Sequence, residues 1–130
     1  MQIPLSSSIQ PKRPPLELCK IRLYSTGVKG KVYTDHFYKS MNHNFGIEIS
    51  MRNNTAKVQT IKIGGCVYDG KGNTVLKWGG TKSIDAHSSD SYDFYVRDDE
   101  FSKMKDGKYK VQFWLNDKKV QKEFFSITYK

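Results

Sequence analysis

KDGKYKVQFWLNDKKVQKEFFSITY, residues 105–129, is the stretch that decides the fold. Tyr109, Val111, Phe113 and Leu115 are apolar at every second position, and Lys108, Lys110, Gln112 and Asn116 alternate with them. Successive strand side chains point to opposite faces, so this pattern predicts a strand with one core face and one wet face. Trp114 is the exception, a large ring on the wet face. Asn116-Asp117 tolerates the positive φ of a tight hairpin turn, and the chain returns through Phe124, Phe125, Ile127 and Tyr129. The adjacent Phe124 and Phe125 interrupt the alternation, which predicts either a β-bulge or a position covered on both faces. Asp106-Gly107 supplies the turn that launches the strand.

Upstream, the same period recurs in shorter stretches. Over residues 16–24, Cys19, Ile21 and Leu23 share one face and Lys20 and Arg22 the other, and Gly27 and Gly30 end the strand. Residues 31–43 carry Val32, Tyr33, Phe37, Tyr38 and Met41 without a period, as a short edge strand and a long loop would. Phe45, Ile47, Ile49 and Met51 define a second clear strand, closed by a turn at Asn53-Asn54. A strand over residues 58–69 turns Ile61 and Ile63 inward, and within it Gly64-Gly65 predicts a bulge or a close backbone approach. The hairpin loop DGKGN, residues 69–73, is followed by a returning strand over residues 74–78 that ends at Gly79-Gly80. Tyr92, Phe94 and Val96 alternate with Ser91, Asp93 and Tyr95. Asp98-Asp99-Glu100 ahead of Phe101 and Met104 fits one helical turn with acids at its positive end.

About seven strands with turn signals roughly every 8 to 12 residues, and almost no helix, specify an all-β antiparallel sandwich over residues 16–130. Residues 1–15 are different in kind. Pro11, Pro14 and Pro15 surround Lys12 and Arg13 after a run of serines, so this lead segment is predicted to be flexible, a linker or else a basic docking arm. At 130 residues and 15.0 kDa the chain makes one domain whose core stands without staples. Cys19 and Cys66 lie in different predicted strands, which favours two buried thiols over a bridge. No stretch is apolar enough to span a bilayer, and the first residues lack the continuous apolar run of a secretory signal. If Met1 is the native start, a cytoplasmic location is expected.

The formal net charge of +9 is uneven. Residues 1–62 hold 10 basic and 3 acidic side chains, residues 63–102 hold 4 and 7, and residues 103–130 hold 8 and 3. Basic ends around a mildly acidic middle suit nucleic acid, an anionic surface or an acidic protein, although net charge also simply keeps a protein in solution.

FSKMKDGKYKVQFWL, residues 101–115, resembles the corner of immunoglobulin-like and fibronectin type III-like sandwiches, where a short turn, a Gly and a Tyr precede a long inner strand. The resemblance implies that Tyr109 is the corner tyrosine, its hydroxyl bonded back to the main chain. The order of strands is also similar to small accessory sandwiches appended to bacterial multidomain proteins. The chain lacks the cysteine pair that bridges the sheets of antibody domains, and this fold does not dictate a function.

Signatures of catalysis are missing: there is no GxGxxG, Walker loop, HExxH or GxSxG. His36, His43 and His87 match no metal-ligand spacing, and Asp98-Asp99-Glu100 alone falls short of the six or more oxygens a Ca²⁺ site requires. No enzyme, metal or cofactor is therefore expected. The expected role is a non-enzymatic accessory module that binds another protein or an assembly component through large anchors, for which Trp114, Trp78 and Tyr95 are the candidates. The alternative is a nucleic-acid-binding β-fold, an OB-like barrel or a basic sandwich. It would use Lys108 and Lys110 on the wet face, with Lys118, Lys119 and Lys122 nearby and Trp114 as a stacking platform.

Overall fold

The computed structural model describes residues 14–130, so residues 1–13 of the predicted 1–15 lead segment lie outside the described residues. Among the described residues nine strands and one short helix follow in order: β1 (Leu16–Gly27), β2 (Gly30–Tyr33), β3 (His36–Tyr38), β4 (Phe45–Asn53), β5 (Gln59–Tyr68), β6 (Thr74–Ile84), β7 (Ser89–Val96), α1 (Asp98–Ser102), β8 (Gly107–Leu115) and β9 (Lys118–Thr128). They form a sandwich of two sheets, β2-β1-β4-β7 and β3-β9-β8-β5-β6. Every pairing is antiparallel except β3 with β9, which is parallel.

The β8–β9 hairpin forms as its alternation requires. Leu115 pairs with Lys118 across a two-residue turn in which Asn116 and Asp117 sit at φ 50° and 66°. Both values are the left-handed geometry that matches the twist of the flanking strands. The irregularity in the return strand is a bulge, but at Val120 rather than at the Phe pair: Phe113 faces Gln121 while Trp114 faces Lys119. The alternation then holds, with Phe125 buried and Phe124 61% exposed.

Two further strands arise where the sequence had no period. Residues 30–38 are split between the sheets, β2 closing a hairpin with β1 and β3 crossing over to pair with the end of β9. Phe37 on β3 is fully buried, which is the reason so short a strand docks at all. β6 is also longer than expected. Gly79-Gly80 does not end it, because Gly79 pairs with Gly64 and Gly80 with Ile63 and the ladder runs on to Ile84. At Gly64-Gly65 the ladder is unbroken, and the close approach comes from a side chain. A Cβ on Gly65 would meet the Trp78 ring at 2.0 Å.

Between the sheets the apolar side chains gather around two aromatic nodes. Phe37, Phe45, Phe101 and Phe125 pack with ring centroids 5.1 to 6.2 Å apart, mostly edge to face. At the other node Trp78 stacks on Phe94 at 4.1 Å and meets Phe113 edge-on. These are the favoured geometries of aromatic pairs, each worth about 0.5 to 1.5 kcal/mol beyond burial. Phe101 reaches its node from α1, whose first turn carries Asp98, Asp99 and Glu100 as expected.

Tyr109 stacks on Phe125 and donates its hydroxyl hydrogen bond to the carbonyl of Lys105, four residues upstream. The bond closes the turn that feeds β8. Tyr109→Phe keeps the ring and loses only this bond, so the urea midpoint should fall by the equivalent of about 1 kcal/mol. An unchanged midpoint would show that the hydroxyl contributes nothing to the corner.

The cysteines are unbridged, and only one is buried. Cys66 is in the sheet, whereas a register shift between Leu18 and Lys20 takes Cys19 out of the inward row and exposes it.

Candidate functional site

The outer faces of the two sheets differ in how their charges are spent. On the sheet containing β4, Glu48 points outward and its side chain is 11% exposed, held by Arg22 and Lys31, each at 2.7 Å. Lys31 also reaches Asp93 at 3.1 Å, and the Arg22 guanidinium lies 3.8 Å from the Tyr33 ring centroid. The hydrogen bond from Lys31, reinforced by Arg22, holds the Glu48 carboxyl below its ordinary value despite burial, and the same bond raises Lys31. Arg22 and Lys31 on this face are thus neutralised by neighbours, while Lys20 and Arg52 have no acidic partner among the described residues.

A pH-dependent stability follows from Glu48. Its folded-state pKa lies below the ordinary 4.5, so its contribution is complete above about pH 4.5 and lost as pH falls through the lower, folded-state value. Glu48→Gln should cost about 1 to 2 kcal/mol at pH 7, a modest figure because Arg22 and Lys31 are 39% and 31% exposed and regain water. Denaturation curves of the two proteins should converge on acidification. A gap that stays constant down to pH 3 would exclude the carboxylate as its source.

The outer face of the five-stranded sheet carries lysines instead of ion pairs. Strand register orders it into rows across β9, β8, β5 and β6: Lys119, Trp114, Gly64, Gly79; then Lys122, Gln112, Cys66, Lys77; then Phe124, Lys110, Tyr68, Thr74. Lys108 extends β8 and Lys62 extends β5 on the same face. Among the described residues only Lys62 of these six lysines has an acidic partner, Asp117 at 3.0 Å. Lys110 lies 5.1 Å from the Tyr68 ring centroid and Lys122 lies 6.0 Å from that of Phe124, so cations and rings interleave.

Gly64 and Gly79 face each other with no side chain on this surface. A Cβ on either would touch only a backbone carbonyl oxygen, at 3.6 Å, so the space above them is open. With Trp114 as one wall, they floor a furrow of about 810 Å³ bordered by Lys62, Tyr68, Lys77 and Asp117. The glycines form a pair only through the β5–β6 hairpin, whose loop, residues 69–73, begins five residues after Gly64 and ends six before Gly79, the extra residue being the bulged Val75.

The predicted partner-binding residues are thus divided. Trp114, Lys108 and Lys110 share this face, as do Lys119 and Lys122. Tyr95 lies on the opposite face of the sandwich, where its hydroxyl meets that of Thr26, and Trp78 lies between the sheets. The indole N–H of Trp78 is buried without a partner among the described residues. Lys118 sits at the hairpin turn. Lys62, Lys77 and Tyr68 carry no signal in the sequence, and Gly64-Gly65 and Gly79-Gly80 read there as a bulge and a strand end rather than as parts of a site, because their nearness to Trp114 depends on the pairing of β5 with β8 and β6.

Elsewhere, His36 stands between the hydroxyls of Ser126 and Thr128 at a sheet edge, with no carboxylate among the described residues to orient it. No group of three metal-ligating side chains occurs among the described residues, and no helix there is long and apolar enough to cross a membrane.

No protein-family model and no curated protein matches the sequence. Solved structures do match in fold. An alkylpurine DNA glycosylase from Pseudomonas fluorescens, bound to DNA containing an abasic site analog, is similar at 9% identity and a TM-score of 0.59 over 88% of this chain and 30% of that one. A β-glucuronidase from glycoside hydrolase family 2 is similar at 11% identity and 0.57, over 88% of this chain and 12% of the enzyme. The β-D-glucoside glucohydrolase of Trichoderma reesei is similar at 9% and 0.59, over 87% and 19%. The likeness is one of fold, and this chain spans less than a third of each of these longer proteins.

Proposed function

We propose that this chain is a non-catalytic, immunoglobulin-like accessory domain whose role is to hold a partner through the outer face of its five-stranded sheet. The fold part of the reading rests on the order β1-β4-β7 facing β9-β8-β5 and on the Tyr109 corner. The accessory part is supported by the fold's recurrence as a fraction of larger enzymes. The observation that carries the binding role is the face itself, with its unneutralised lysines, half-buried Trp114 and bare Gly64–Gly79 floor on one surface. A protein partner held by Trp114, Trp78 and Tyr95 together is disfavoured, because a hot spot needs its anchors in one desolvated patch.

A photo-cross-linking amino acid placed at Gln112, on this face, and at Ser50, on the other, separates the two surfaces in the native host. Adducts should form from position 112 and not from 50. Equal labelling, or labelling from 50 alone, would move the partner to the other sheet.

A further inference from the structure

We infer that the partner of this face is a single-stranded nucleic acid, gripped through its backbone and bases without regard to sequence. The inference rests on the binding face just proposed and names its ligand class. Three features converge on a strand that carries both negative charge and planar rings. The first is the charge: Lys77, Lys108, Lys110, Lys119 and Lys122 have no acidic partner among the described residues, whereas on the opposite face the buried Glu48 and the exposed Asp93 neutralise Arg22 and Lys31. Lysines left unpaired in this way release counterions from a phosphate chain when they meet it.

The second feature is the placing of the rings. Trp114, Tyr68 and Phe124 stand on neighbouring strands in rows already occupied by lysines, so a chain lying across β9, β8 and β5 meets a ring and an ammonium by turns. Stacking platforms interleaved with cations are how sheet surfaces bind unpaired bases, whereas an acidic peptide offers a planar group only where it carries an aromatic residue. The third is the furrow. Gly64 and Gly79 leave bare backbone beside Trp114, an open seat in which a ring can lie against the indole. The described part of this face is a continuous sheet, with no projecting helix and with the β8–β9 ribbon paired to β5 from Lys110 to Leu115, so nothing enters a duplex groove and the single strand is preferred over the double.

The test is fluorescence anisotropy of labelled twelve-residue oligo-dT and oligo-U with the whole chain at about 50 mM and 200 mM salt. Single strands should bind in the micromolar range at the lower salt, and a duplex of the same length at least about tenfold more weakly. Trp114→Ala should weaken binding at least about tenfold, the loss expected of one stacking platform. Gly64→Val fills the seat at a position where a Cβ makes only an ordinary contact, so it should weaken binding similarly with an unchanged melting temperature. Reversing Lys110 and Lys122 to Glu should flatten the salt dependence, and Lys20→Glu on the other sheet should not.

Absence of binding at 50 mM salt overturns the inference. So does equal competition by poly-glutamate or heparin with no effect of Trp114→Ala, which would make the face a receptor for acidic chains in general. In either case cross-linking at Gln112 to a nuclease-resistant partner would leave the binding face standing, while loss of that cross-link would remove both readings.

Discussion

Phe113→Ala should destabilise the protein by about 3 to 5 kcal/mol, and Lys110→Ala by no more than about 0.5. Three residues apart on one strand, the two side chains lie on opposite faces of the sheet. Phe113 is 1% exposed and meets Trp78 edge-on, so its loss opens a cavity between the sheets and leaves the indole without one of its neighbours. Lys110 rests over Tyr68 on the solvent side, and its removal costs only that contact. Urea denaturation of the two variants checks the assignment, and similar losses from both would refute it. The pair also separates stability from binding, since Lys110 belongs to the proposed contact face and Phe113 does not.

Asn53→Ala should cost about 3 kcal/mol, a large figure for one polar side chain. Asn53 is 0% exposed and uses its whole amide. The Nδ2 donates to the carbonyls of Lys57, Ile84 and Asp85 at 2.7 to 3.1 Å, and the Oδ1 accepts from the Thr55 backbone N–H and hydroxyl at 2.9 and 2.7 Å. It thereby ties the end of β4 to the chain entering β5 and to the β6–β7 turn. Truncation leaves buried groups without partners, each a desolvation penalty of about 1 to 3 kcal/mol before relaxation. Asn53→Asp should be at least as damaging at neutral pH, because a carboxylate offers three carbonyls no donor. A melting temperature within a degree of wild type for either variant would show that water or a shifted loop replaces the staple.

Much of the architecture was written locally. Strict alternation through Tyr109 to Leu115 and through Phe45 to Met51 assigned their inner faces, Asn116-Asp117 set the hairpin turn, and Asp106-Gly107 before Tyr109 marked the corner. These signals are readable because period two and turn chemistry act over a few residues. What required tertiary structure acts over longer range. β3 pairs with β9 some ninety residues away and is held by the burial of Phe37, so no local pattern announces it. Asn53 reads as a turn former in sequence and becomes a buried staple only when the β6–β7 turn arrives beside it.

The candidate site divides in the same way. The lysines and Trp114 of β8 were visible as one wet face, since a single strand's alternation decides it. Trp78 and Tyr95 stood as equivalent anchors, because the alternation around Tyr95 turns it to a wet face without saying which sheet that face belongs to, and the strand of Trp78 has no clear alternation to say which way its ring turns. Pairing decided that: the register of β5 against β6 and β8 turned Trp78 inward over Gly65 and set Gly64 and Gly79 beside Trp114, while the register of β7 against β4 placed Tyr95 on the far side of the sandwich. One residue of slip in that register would exchange the two faces, which is why the basic face belongs to the sequence of β8 while the furrow belongs to the pairing of three strands.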